Sequence, residues 1–218
     1  MTTHSPYVLE ELPSEARIYI LETDQTRQII PGVSPQFAMT RMDDEAHPEC
    51  DLYVEDEGAR ILIGEILAYH AKSLFPRCAI IPYGAASVGL ALGQMAANGR
   101  FPRPSCVFLD GDNAPAVGCA LLPGDDAPER VVFAKLAKEN WRHLWTRIGR
   151  DISDVIDACS VAMTLSNHHE WVPNAANRLM VGGNNLWQSM CAEWVASDLN
   201  KEEAKKVVQP IEDSLARL

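Results

Sequence analysis

The sequence predicts an α/β protein, a mainly parallel sheet flanked by helices and followed by a helical C-terminal extension. Three observations predict it. Between residues 51 and 122 short apolar runs alternate with longer amphipathic stretches, the pattern of strands joined by crossover helices. Three of those runs end in strings rich in acids or glycine: Val54-Glu55-Asp56-Glu57-Gly58, Pro82-Tyr83-Gly84 and Leu109-Asp110-Gly111-Asp112. After Ala127 the strand texture stops, and Trp141, Trp145, Trp171, Trp187 and Trp194 follow at mostly helical spacings.

Taken in order, Tyr7-Val8-Leu9-Glu10-Glu11-Leu12 predicts a helical turn or two. Residues 17–21 alternate and carry β-branched side chains, so they read as a strand, paired in a hairpin with a second short strand at 28–30. Residues 40–51 read as linker or capping loop. Strand 51–55, helix 59–74, strand 78–82, helix 87–97 and strand 105–109 then alternate, and a further strand at 118–122 is closed by Pro123-Gly124. Pro128 suits the first turn of a helix, where its missing N–H costs nothing. No internal repeat or low-complexity tract interrupts this order.

With 218 residues, 47% of them hydrophobic and 22% charged, the chain has ordinary globular composition and enough length for one substantial core. A formal charge of −11 argues against a generally basic nucleic-acid coat. Nucleic acid would have to be reached through bound cations, local basic residues or a basic partner. Six cysteines, none in a Cys-x-x-Cys pair, spell neither a zinc knuckle nor a dithiol redox site. No apolar run reaches the ~18 residues that would cross a bilayer, and the start lacks a basic-then-apolar export signal. The expectation is a soluble, cytoplasmic protein with no membrane partner.

In a parallel sheet, ligands gather beyond the carboxyl ends of the strands. Asp110 and Asp112, separated by one residue, point the same way from such an end, and with Glu55 on a neighbouring strand they supply hard oxygen ligands for Mg²⁺ or Mn²⁺. An isolated Asp-x-Asp is more often a mere polar turn. Here a glutamate ends the first strand, a glycine ends the second and Asp-x-Asp ends the third, over about 55 residues. That arrangement resembles the Toprim fold of topoisomerases, DnaG-type primases and OLD (overcoming lysogenization defect) nucleases. Separately, Thr2-Thr3-His4-Ser5-Pro6 looks like the end of an ABC-type ATPase domain, with His4 in the place of the switch histidine that senses the γ-phosphate. No Gly-x-x-x-x-Gly-Lys-Ser/Thr loop accompanies it, so ATP would be bound only through an ATPase domain that is missing or separate.

An ATPase remnant leading into a Toprim domain is the order of OLD nucleases and related anti-phage effectors. The resemblance implies an ATPase remnant and linker at 1–45, a Toprim core at 46–127 and a helical extension at 128–218 that completes it. It implies that Glu55 is the first metal-binding acid and general base, that Asp110 and Asp112 are the metal-ligand pair, and that Gly84 lets substrate or a metal-bound water approach the backbone. Glu129 is the first choice for a second-metal acid, with Asp125 and Asp126 as weaker alternatives. Some relatives carry an acid four residues after the first glutamate; that position here is Ala59, which leaves Glu57 or another acid to substitute. Two Mg²⁺ or Mn²⁺ ions are the implied cofactors.

The remaining polar residues carry weaker signals. His168-His169-Glu170-Trp171 offers a base or a phosphate contact, but adjacent side chains on a helix diverge, so a helix start capped by Asn167 with one histidine against Trp171 is the favoured arrangement. Lys201, Lys205 and Lys206 form a basic helix face, more often solvated than functional. Trp141 and Trp145, near Arg142 and Arg147, either belong to the core or border a substrate groove. The expected activity is a metal-dependent endonuclease acting on DNA, with RNA the alternative substrate, under an ABC-type ATPase in cis or trans, homo-oligomerisation being left open. The alternative is a non-catalytic Toprim module that serves the ATPase as an oligomerisation or inhibitory partner. Strand passage needs a nucleophilic tyrosine, and none of the five tyrosines lies in a recognisable nucleophile domain.

Overall fold

The computed structural model describes residues 2, 3, 5–22, 27–42 and 47–216. His4 lies outside the described residues, as do residues 43–46 of the stretch 40–51 expected to be linker; 40–42 instead end a helix and 50–51 begin a strand. Four strands, β3 (Cys50–Val54), β4 (Cys78–Pro82), β5 (Ser105–Leu109) and β6 (Cys119–Leu121), form an all-parallel sheet in the order β4-β3-β5-β6. The chain is therefore α/β with helices around a parallel sheet. Strands β3 and β5 are central and almost wholly buried, which is why they are mostly apolar; the one buried acid in β3, Asp51, is paired with Arg103 at 3.0 Å.

Helix α3 (Glu57–His70) joins β3 to β4, and α4 (Ala86–Ala97) joins β4 to β5. The two crossovers run in opposite directions across the sheet, so right-handed connections place the helices on opposite faces. Asp56 caps α3 by accepting the Ala59 N–H at 2.8 Å, which starts the helix two residues before its apolar periodicity does. Its end at His70, rather than near Leu74, passes into a 3₁₀ turn at 75–77. Helix α4 lies close on the sheet through Gly89 and Gly93: a Cβ on Gly89 would sit 2.5 Å from the Tyr83 hydroxyl.

Beyond Ala127 the chain is helical as its texture predicts: α5 (Pro128–Lys138), α6 (Leu144–Ile148), α7 (Ile152–Ala162), α8 (Trp171–Leu179), α9 (Gly183–Ser197) and α10 (Lys201–Leu215). One core runs from β3, α3 and β5 through α5 to α10, so the helical part shares the sheet's interior and is no appendage. Arg147 reaches the buried Glu193 at 2.8 Å, and Ser197 donates to the same carboxylate. Trp141 is buried edge-on against Phe133 and belongs to this core, which removes it from any substrate groove. Arg142 is turned to Glu139 and Asp198.

The N-terminal residues form a smaller unit. Helix α1 (Pro6–Glu11) precedes an antiparallel hairpin of β1 (Ile18–Glu22) and β2 (Arg27–Pro31), and α2 (Pro35–Met42) follows. Tyr19 meets Phe37 edge-on at 5.7 Å, and the Arg17 guanidinium donates to the Leu12 and Val33 carbonyls. None of these residues joins the main core. Among the described residues no helix is long and apolar enough to cross a membrane.

Candidate metal centre

Glu55 follows the last residue of β3, and the ladder beyond the strand ends fixes its backbone. The Tyr83 N–H donates to the Val54 carbonyl and the Gly84 N–H to the Glu55 carbonyl, each at 2.8 Å. Gly84 takes a φ of +99°, a conformation open to glycine at little cost, so the chain turns away toward α4. The backbone N–H of Ala86 at the start of α4 draws the Glu55 carboxyl pKa down. Burial first, then the charges of Asp56 and Asp112, nevertheless hold its pKa above the ordinary glutamate value.

Asp110 follows β5 on the adjacent central strand. Its carbonyl accepts from the Asn113 N–H at 3.1 Å, closing a turn in which the Asn113 side chain also donates to Asp112 Oδ1 at 3.2 Å. Gly111 has no room for a side chain: a Cβ there would lie 2.7 Å from the Asp126 carbonyl oxygen and 3.0 Å from that of Leu122. The loop after β6 is thus packed directly against the Asp110-Gly111-Asp112 turn.

Asp110 Oδ1 is buried with no hydrogen-bond partner among the described residues. Burial, followed by the charges of Glu55, Asp56, Glu129 and Asp112, pushes the Asp110 carboxyl up to about 7. A buried carboxylate oxygen without a donor is costly, and the acids that press on it would all be relieved by a cation. Glu55, Asp110 and Asp112 therefore suit a hard divalent ion by charge and donor type, although among the described residues their carboxylates do not draw together as closely as the ligand atoms of Glu129, His168 and His169 described below. The Tyr83 hydroxyl, which donates to the Phe108 carbonyl at 2.9 Å, is itself pushed up by burial and by Glu55 and Asp110.

Glu129 enters from the first turn of α5, with Pro128 at the helix start as its sequence predicts. It lies 3.4 Å from His169 Nδ1. The expectation that His168 and His169 diverge is overturned. They occupy a 3₁₀ turn (His168–Glu170), not a helix interior, and their ring centroids are 4.1 Å apart. Asn167 caps this turn, as expected, by accepting the His169 N–H at 3.2 Å. One ligand atom from each of Glu129, His168 and His169 lies within 4.8 Å of the other two. A helical reading of the pair hides this trio, because an Asn167 cap suits the start of a 3₁₀ turn as well as that of an α-helix.

Other candidates are drawn elsewhere. Glu57, one candidate substitute acid, is held by Arg60 at 2.6 Å, and position 59 is a buried alanine. Asp126 accepts from the Ala127 N–H at 2.8 Å, and exposed Asp125 lies 3.9 Å from Lys206. Lys205 is paired with Glu202 at 2.8 Å. Asp56, absent from the sequence-based set, adds charge to the site while capping α3. Comparison with protein-family models, curated proteins and solved structures gives no match.

Proposed function

We propose that the chain is a divalent-cation-dependent phosphodiesterase of the Toprim kind, cutting DNA as an endonuclease and governed by an ABC-type ATPase, an arrangement suited to anti-phage defence. The observation that carries this reading is the buried, unpartnered Asp110 Oδ1 among Glu55, Asp112 and Glu129 at the carboxyl edge of a parallel sheet. The order of acids along the chain and the strand order β4-β3-β5-β6 are compatible with a Toprim core.

In this reading Glu55, Asp110 and Asp112 hold one Mg²⁺ or Mn²⁺, and Glu129 belongs to a second position. The chemistry supplied by such ions is acidification of a water and stabilisation of the departing oxygen. The protein's own part is orientation. The Gly84 N–H fixes the Glu55 backbone, and the tight Gly111 contact fixes the two aspartates relative to the loop that leads into α5. Local positive charge from the ions would let a chain of net charge −11 approach a polyanion.

The test is cleavage of supercoiled plasmid and of single-stranded RNA with Mg²⁺ or Mn²⁺, comparing the native chain with a folded Asp110→Ala variant. The expected result is nicked or linear DNA from the native chain alone. Equal cleavage by both proteins, or none by the native chain with its ATPase present, overturns the reading and leaves a non-catalytic partner of the ATPase.

A further inference from the structure

The geometry points to a second kind of metal position: we propose that Glu129, His168 and His169 together bind one divalent transition ion of the Zn²⁺ or Co²⁺ class in preference to Mg²⁺. One ligand atom from each lies within 4.8 Å of the others, so shifts of a side-chain torsion bring all three to the ~2.0–2.2 Å ligand distances of such ions. Two imidazole nitrogens and one carboxylate form a borderline donor set, which suits zinc-like ions, whereas Mg²⁺ demands oxygen and keeps its waters.

The frame around the three residues is built rather than incidental. Pro128 starts α5 and sets Glu129 in its first turn, while the Asn167 cap sets the backbone of the two histidines. The Trp171 indole N–H donates to the Leu165 carbonyl at 2.9 Å and its ring packs 5.4 Å from Phe133 of α5, which locks the histidine turn to that helix. Glu129 is largely covered at 14% side-chain exposure and His169 is open at 61%, so the trio has a floor and an accessible side. Three protein ligands with an open side are the pattern of zinc sites that keep a position for water or substrate.

The 3.4 Å contact of His169 with Glu129, and the 3₁₀ turn that brings the His168 ring to 4.1 Å from that of His169, set two imidazoles and one carboxylate together. The position also faces the oxygen site: the Glu129 charge acts on Asp110, and His169 on Glu55. In one respect, the identity of the second cation, this deepens the phosphodiesterase reading; the binding of the ion does not depend on it.

The experiment uses the full chain after chelator treatment, titrated with Co²⁺ and Zn²⁺ by visible absorption and calorimetry, with Mg²⁺ as comparison. His168→Asn and His169→Asn keep polarity at exposed or half-buried positions, and circular dichroism checks their fold. Expected is one Co²⁺ or Zn²⁺ bound at least ~10-fold tighter than Mg²⁺, a weakening of ~10-fold or more in each histidine variant, and loss of the imidazole-dependent Co²⁺ absorption in the double variant. Unchanged Co²⁺ and Zn²⁺ binding in His168→Asn, or no preference over Mg²⁺, overturns the proposal. Histidine-dependent Co²⁺ binding with no cleavage of any nucleic acid would instead sink the phosphodiesterase reading and leave the metal position standing.

Discussion

The indole N–H of Trp187 donates to the carbonyl oxygen of Gly58 at 2.9 Å, tying α9 to the first turn of α3 three residues after Glu55. The indole is buried, so no water replaces it when the bond is lost. Trp187→Phe should cost about 1–3 kcal/mol, from the unpaired carbonyl and the smaller ring. For a chain of this size that is a fall of roughly 2–10 °C in melting temperature. A thermal melt checks it, and an unchanged melting temperature would mean that the contact contributes nothing.

Asp110 sets a pH dependence whose sign is fixed. Its carboxyl titrates at about 7 when folded, against 3.8 for an unperturbed aspartate, so the folded chain holds a proton that the unfolded chain has released. Its contribution is most favourable below the lower value and is lost as pH rises through the higher one. Asp110→Asn removes this loss. With metal chelated, the variant should melt about 2–8 °C above the native chain at pH 8 and converge with it near pH 4, the scale of ~1–2 kcal/mol for one substitution. Added Mg²⁺ should raise the native melting temperature more than the variant's. Parallel melting curves across this pH range would remove Asp110 from the centre.

Gly111→Ala tests the packing of the aspartate turn. The added methyl would press on the Asp126 and Leu122 carbonyl oxygens, and neither is the end of a flexible side chain. Overpacking of this kind costs about 1–3 kcal/mol. Because the turn must move, the Mg²⁺-induced stabilisation should shrink as well, measured by melting with and without the ion. A stable variant with full metal response would show that the loop after β6 yields freely.

Asp56 separates a cap from a charge. Asp56→Asn keeps an oxygen for the Ala59 N–H and removes the negative charge beside Glu55 and Asp110. It should leave stability near native at neutral pH and lower the Asp110 titration midpoint, read by carboxyl-carbon NMR. Asp56→Ala should lose about 1 kcal/mol from the cap in addition. Equal melting of the two variants would deny the cap any weight.

The strand positions are legible because β3 and β5, central in a parallel sheet, are buried on both faces and so are rich in apolar residues, while the edge strand β4 stands out by its short apolar run between two helical stretches. Glu55, Asp110 and Asp112 stand out as candidates because each follows the end of a strand or lies just beyond it. What escaped is set by tertiary packing. Helix α2 buries only Ala38, too little to impose an amphipathic period, and it went unread. The start of α3 is set by a side-chain cap rather than by periodicity, and its end at His70 precedes the expected one by four residues. The proximity of His168 and His169 depends on turn geometry that a helical reading denies. Trp141, read as either core or groove, sits among three consecutive residues of positive φ, a conformation that burial of its ring against Phe133 holds in place.

The single core shared by the sheet and the late helices carries a consequence for synthesis. A ribosome that has made the chain through His169 has already emitted Glu55, Asp110, Asp112, Glu129 and both histidines. It has not yet made α9, whose Trp187 ties down the start of α3, nor α10, which packs on β3, β5, β6 and α3. Because a domain folds as a unit, the nascent chain carries every candidate ligand without the walls that hold them in register. A nascent chain released before α10 would therefore hold these acids without the packing that sets their positions.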